Sequence, residues 1–169
     1  MVELKYVIGD ATMPIGEGKK IICHISNDIG AWGAGFVLAL SKRWKEPEMA
    51  YRSMKKELRV LGYVQFVEVE DDIMVANMIA QHDVIPKLID GVLTKPIRYY
   101  ALNTCLEKVN VFALEHGITL HMPRIGAGLS GGDWKEIEQI IKNTMSVDVI
   151  VYDLKPVEGT VYETNTTKI

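Results

Sequence analysis

Short apolar runs rich in Val and Ile recur at residues 5–8, 19–25, 63–69, 73–80, 119–122 and 147–152, each bounded by turn-forming residues; they predict six β-strands. Between them, residues 34–44, 48–61, 97–116 and 134–145 place apolar side chains every three or four positions, the period of a helix that buries one face. Punctuation agrees with these periods. Pro47 suits a first helical turn, Gly62 and Gly117 stand where helices stop, and Asp133 precedes Trp134 as a cap. Residues 63–80 fold over at Asp71-Asp72 as a hairpin, whereas the other strands alternate with helices and need crossovers. The pattern predicts one α/β domain over residues 1–154, a mixed sheet with helices on both faces. Two stretches fall outside it. Residues 82–95, containing Pro86, Asp90 and Gly91, read as either a flap beside the sheet's end or an ordinary surface loop. Residues 155–169 are polar and threonine-rich, either a disordered tail or one edge strand around residues 160–164.

Two glycine-studded turns follow strand-like runs and open onto helical patterns: Gly30-Ala31-Trp32-Gly33-Ala34-Gly35, and Arg124-Ile125-Gly126-Ala127-Gly128-Leu129-Ser130-Gly131-Gly132. Glycine lets the main chain approach a ligand, and the first amides of a following helix offer free donors and partial positive charge. A pair of such turns can clamp a diphosphate from both sides, so a diphosphate-containing nucleotide is the leading ligand class. Charge sharpens this picture. With 19 Lys and Arg against 22 Asp and Glu, the net charge is −3 and the sequence pI about 5.8. Nothing electrostatic favours nonspecific binding to nucleic acid or an anionic membrane, so neutral backbone donors must hold any phosphate. The uncharged run at residues 29–41 is too short to span a membrane, and Glu3 and Lys5 sit where a signal peptide would be apolar, so a cytoplasmic location is expected. Cys23 and Cys105 lie far apart in apolar segments, as reduced core thiols would.

Gly126 to Gly131 fit the G-x-G-x-x-G pattern, but too little chain follows for a Rossmann fold; no Lys-Ser or Lys-Thr closes the loop as a triphosphate site would require. Asp10, ending the first strand after Gly9, can accept from the exocyclic amine of a base or cap its own turn. His24, Ser26, Asn27 and Asp28 crowd the end of the second strand beside the first glycine turn, which gathers polar groups next to phosphate donors. His24 is in phase with Ile22 and can equally be a buried, backbone-bonded ring; Asn27 can serve a sugar hydroxyl or form a turn. Gln81, His82 and Asp83 read as solvated loop residues that could also make an acid–base pair. Ser130 lacks a nucleophile elbow and reads as a phosphate or ribose neighbour. Trp32 and Trp134 brace the loops or wall a sugar. The histidines, with His116 and His121 read as structural, and the cysteines show no metal-ligand spacing, so neither a metal nor a cofactor is expected.

Taken together, Gly9-Asp10, His24 with Asn27, Trp32-Gly33-Ala34-Gly35 and the run from Met122 through Pro123 to Leu129 resemble a macrodomain, the ADP-ribose-binding fold. The likeness spans residues 5–154 and is nearest the branch of ADP-ribose-1''-phosphate phosphatases and terminal ADP-ribose glycohydrolases. It implies a three-layer α/β/α fold around a mixed sheet of about six strands, with ADP-ribose or an ADP-ribosylated substrate as partner. It also implies adenine at Asp10, diphosphate between residues 33–35 and 126–131, and distal ribose near His24 and Asn27. Some glycohydrolases of that branch use a lysine on the strand matching residues 75–81 and an aspartate just after the loop's leucine; here the strand has no lysine and Ser130 follows Leu129. The resemblance therefore leaves hydrolysis at the distal ribose to His24 or Asp133 acting on a water, with loop amides stabilising developing charge. A noncatalytic ADP-ribose module is the alternative, and a nicotinamide-dependent oxidoreductase a third.

Overall fold

The computed structural model describes residues 2–164. In chain order these form β1 (Leu4–Ile8), β2 (Lys20–Asn27), α1 (Phe36–Arg43), α2 (Glu46–Arg52), β3 (Val64–Glu70), β4 (Ile73–Gln81), β5 (Lys87–Ile89), β6 (Val92–Thr94), α3 (Tyr99–His116), β7 (Thr119–Met122), α4 (Trp134–Thr144) and β8 (Val149–Asp153). All six expected strands join one sheet in the order β1-β8-β7-β2-β4-β3, parallel except for the β3–β4 hairpin. The period-2 alternation of the central strands sorts side chains to two faces. Ile21 and Cys23 of β2, with Ala76 and Met78 of β4, pack under α3 and α4 against Leu102, Leu106, Ile137 and Ile141. Ile22, Val75 and Ile79 face the other way, against Leu40 of α1 and Tyr51 of α2. A three-layer α/β/α sandwich results. Both cysteines are buried and free; desolvation pushes the Cys105 thiol up to about 12. No helix among the described residues is long and apolar enough to cross a membrane.

Helix ends follow the local signals where those are strong. Gly117 closes α3 in the left-handed conformation, and the Asp133 side chain accepts from Lys135 N–H at the start of α4. Three expectations need correction. The helix expected at 48–61 ends at Arg52, because over residues 53–60 only Met54 is buried; a longer helix would have no apolar stripe to cover. The stretch 82–95 contains a hairpin, β5–β6, turned by Asp90 and Gly91, both at positive φ as a two-residue hairpin turn requires. Residues 155–164 are neither loose nor a strand. They fold back as an irregular strap: Glu163 N–H donates to Tyr6 O of the edge strand β1, and Tyr162 Oη donates to Asp153 Oδ2 at 2.6 Å. Residues 165–169 of the expected tail lie outside the described residues.

Candidate functional site

A cleft of about 580 Å³ opens where the carboxyl ends of β2 and β7 meet the two glycine-rich loops, with Gln81 at the end of β4 on its wall. In open α/β sheets this end of the strands is where ligands sit. Of the residues singled out from sequence, His24, Ser26, Asn27, Trp32, Gly33, Ala34, Gly35, Arg124, Ile125, Gly126, Gly128, Leu129 and Ser130 all line it. Gly9, Asp10, Ala127, Gly131 and Asp133 do not.

The first loop is shaped by Asn27, the last residue of β2. Its Oδ1 accepts from Ile29 and Ala31 N–H, and its Nδ2 donates to Ala31 O at 2.7 Å. Tyr51, fully buried on α2, places its hydroxyl against the Asn27 carbonyl and side chain and accepts from Gly30 N–H. Asn27 is thus occupied in building the turn, and the sugar-contact reading of its side chain gives way to the turn-forming one. Trp32 braces the same loop: it is buried, donates from Nε1 to Ser41 Oγ at 2.8 Å, and stands edge-on to His24. Beyond it the chain enters α1 at Gly35 with no side-chain cap and no acidic residue in the first turn, which leaves the positive end of the helix open. Among the described residues, the main-chain N–H groups of Gly33, Ala34 and Gly35 donate to nothing in the protein.

The second loop is held from behind. Ile125 is buried, and Gly126, at φ 74°, sits so close to Ile25, Ile97 and Ile137 that a Cβ would lie 2.6–3.0 Å from their terminal carbons. Gly132 N–H donates to Gly126 O at 2.7 Å, Gly131 N–H to Gly128 O, and Ala127 N–H to Arg124 O. The remaining N–H groups, of Gly126, Gly128, Leu129 and Ser130, have no protein acceptor among the described residues. Here the expectation of two open helix mouths is corrected: Asp133 caps α4, so this loop offers turn amides, not a helix end. Asp133 therefore sits outside the cleft with Oδ1 engaged, away from the role of acid or base given to it on sequence. The loops approach each other at Leu129, whose Cδ1 would lie 3.3 Å from a Cβ on Gly35.

Arg124 does not offer a free cation. It binds Asp153 through Nε and Nη2, each at 2.9 Å, donates to Thr160 Oγ1 of the strap, and stacks over Tyr6 and Trp134. The Asp153 carboxylate raises its already high pKa further. Ser130 Oγ donates to Gln81 Oε1 at 2.6 Å, which ties the second loop to β4. Asp10 holds its own turn, Oδ1 accepting from the N–H and hydroxyl of Thr12. Asp28 meets His82 Nδ1 at 2.7 Å, a pairing that joins two residues 54 positions apart and that local sequence does not signal. His24 is buried between Trp32 and Phe36 and bonds Asn77 Oδ1 through Nε2; desolvation pulls its pKa down to about 4, so the ring is neutral at pH 7. His121, which the sequence marks as structural, is likewise buried, with Tyr152 and Thr119 on its two nitrogens.

No protein-family model matches the chain. A solved structure of a protein of unknown function from Bacteroides thetaiotaomicron is 53% identical, with a TM-score of 0.86, and the match covers 90% of this chain and 98% of that one. A macrodomain protein from Streptomyces coelicolor is 43% identical, with a TM-score of 0.74, over 89% of this chain and 99% of that one. The chain belongs to the macrodomain family. Among curated proteins, mouse chromodomain-helicase-DNA-binding protein 1-like is 31% identical over 153 residues, 85% of this macrodomain; the match spans 16% of the mouse protein and 14% of its Danio rerio counterpart. The ADP-ribose 1''-phosphate phosphatase of Candida albicans is 25% identical over 154 residues, 88% of this chain and 98% of that protein.

Proposed function

We propose that this macrodomain binds ADP-ribose in the cleft, with the pyrophosphate bridge between residues 33–35 and 126–130. The carrying observation is that both loops present uncommitted main-chain N–H groups at one cleft, whose sole arginine is neutralised by Asp153. A dianionic bridge without bulky counter-charges suits amide donors and the open end of α1. Asp10, whose Oδ2 has no partner among the described residues, is assigned the exocyclic amine of adenine, and the distal ribose is assigned to the floor at His24 and Ser26. Calorimetry with ADP-ribose, ADP and adenosine tests this. ADP-ribose is expected to bind most tightly and adenosine most weakly; absence of binding heat from ADP-ribose at about 1 mM would reject the reading.

Hydrolysis at the distal ribose is a second, finer reading, favoured by the likeness to the Candida albicans phosphatase. Its acid–base groups fit poorly: Asp133 caps a helix, and a ring pulled down to about 4 is a weak base at pH 7. Binding is accordingly the function that the geometry supports best. Release of phosphate from ADP-ribose-1''-phosphate, or of ADP-ribose from a modified protein, would decide in favour of catalysis.

A further inference from the structure

The β5–β6 hairpin carries apolar side chains that the fold does not cover. Leu88 and Leu93 stand opposite each other across the ribbon at 74% and 66% exposure; Ile89 and Val92 form the next pair on its other face, and Ile85 precedes it, all of them exposed. A two-stranded ribbon with apolar residues bare on both faces buries little in the free protein, and contiguous exposed apolar surface marks a contact with another molecule. The root of the hairpin, by contrast, is held firmly. Asp28, next to the turn-building Asn27, meets His82 Nδ1 at 2.7 Å and accepts from Asp83 N–H at 2.8 Å, and Gln81 Nε2 donates to Asp83 O. On the returning side His82 N–H donates to Pro96 O, and Ile97 N–H donates to Ser130 O of the second glycine-rich loop. The apolar ribbon is thus fixed at its base to both loops of the cleft.

Sheet order sets this surface relative to the nucleotide. Along the carboxyl ends of β1-β8-β7-β2-β4, the binding reading puts adenine at Asp10 after β1, the pyrophosphate between the loops that follow β7 and β2, and the distal ribose at β2. The next strand end is that of β4, where the chain lines the cleft with Gln81 and Val84 and runs on into the hairpin. A macromolecule that carries ADP-ribose is joined to it at the anomeric carbon of the distal ribose, so it leaves the cleft on the hairpin side. We infer that the β5–β6 hairpin is a docking surface for the polypeptide to which ADP-ribose is attached, Leu88 and Leu93 packing on apolar residues that flank the modified side chain. Charge favours that occupant over a nucleic acid: residues 83–94 carry Asp83, Lys87 and Asp90, and Lys87 Nζ lies 2.6 Å from Asp83 Oδ2, which leaves this segment without an unpaired cation for a phosphate backbone. The inference rests on the binding reading above and extends it from the nucleotide to the chain that bears it.

Fluorescence anisotropy with short synthetic peptides tests this, each bearing ADP-ribose through a hydrolysis-resistant triazole link, one flanked by leucine and valine and the other by serine and glycine. The apolar-flanked peptide should bind about tenfold more tightly than the serine–glycine peptide. Combining Leu88→Thr with Leu93→Thr keeps residues that favour strands while removing the apolar contact. The double variant should erase the difference between the peptides and leave Tm and the calorimetric affinity for free ADP-ribose unchanged. Equal binding of the two peptides by the unaltered protein overturns the inference and leaves the binding reading intact, as does tighter binding of a DNA oligonucleotide carrying the same link. A matching loss of free ADP-ribose affinity in the double variant would make the hairpin part of the nucleotide site, and a dimer in sedimentation that the double variant abolishes would make a second copy the occupant; either result overturns the inference. Failure of ADP-ribose itself to bind overturns it together with the functional reading.

Discussion

Substituting the glycines of the second loop one at a time separates those that shape the loop from those that leave room for a ligand. A Cβ on Gly126 would sit 2.6 Å from Ile97 Cδ1 and 3.0 Å from the Cδ1 atoms of Ile25 and Ile137, at a φ of 74° that L side chains rarely adopt. Left-handed backbone costs about 1–2 kcal/mol for alanine, and overpacking against three isoleucines about 1–3 kcal/mol more. Gly126→Ala should therefore lose roughly 2–5 kcal/mol, a fall of about 5–15 °C in Tm for a domain of this size. Gly128 lines the same cleft, but nothing lies within 4 Å of its Cβ position and its φ is not positive. Gly128→Ala should hold stability within about 0.5 kcal/mol while weakening ADP-ribose binding by about tenfold or more, because the methyl would intrude where the pyrophosphate must approach the main chain. Thermal unfolding and calorimetry on the two variants measure both quantities. If Gly128→Ala binds ADP-ribose as the unaltered protein does, the backbone of this loop does not contact the bridge and the clamp is refuted.

Acid should destabilise the fold through two buried histidines. Desolvation holds His24 at about 4 and His121 at about 3, below the unfolded value near 6.5; the neutral folded forms are favoured, and stability present above pH 6.5 falls as acid protonates the unfolded chain. The loss should be roughly 1.4 kcal/mol per pH unit for each ring between pH 6 and 4.5, and flat urea midpoints over that window would show the rings are not buried neutral. Asp133→Ala should cost about 1 kcal/mol by uncapping α4 and leave ADP-ribose affinity unchanged in calorimetry; a large fall in affinity or turnover would restore Asp133 to the site. Tyr51→Phe removes the hydroxyl shared by Asn27 and Gly30 N–H and should cost about 1–3 kcal/mol in urea unfolding, with weaker ADP-ribose binding as the first loop loosens; an unaltered loop and midpoint would remove Tyr51 as its anchor.

Much of this architecture was legible because it is local. The six strands, α3 with its Gly117 stop, and the Asp133 cap each depend on residues within a turn or two of one another, and the two glycine turns announce themselves by composition. Where sequence reading failed, the deciding interaction was distant or the local signal weak. Residues 53–60 keep some helical periodicity, yet α2 ends at Arg52 because, of those side chains, the fold buries only Met54. The β5–β6 hairpin had a usable mark in Asp90-Gly91 between two short apolar pairs, but its strands are three residues each and exposed, too short for alternation to show. Asn27 was readable as a polar residue near phosphate donors; that Tyr51, 24 residues on, fixes it as the keystone of a turn was not. Likewise nothing beside Arg124 in the sequence signals that Asp153 and Thr160, 29 and 36 positions away, hold its guanidinium.

The most direct test of the clamp is a crystal structure of the protein with ADP-ribose. The account predicts pyrophosphate oxygens about 2.7–3.2 Å from main-chain nitrogens of both loops, drawn from Gly33 to Gly35 on one side and Gly126 to Ser130 on the other, with Arg124 still paired to Asp153. A bridge bound through the Arg124 guanidinium, or lying outside these two loops, would contradict it.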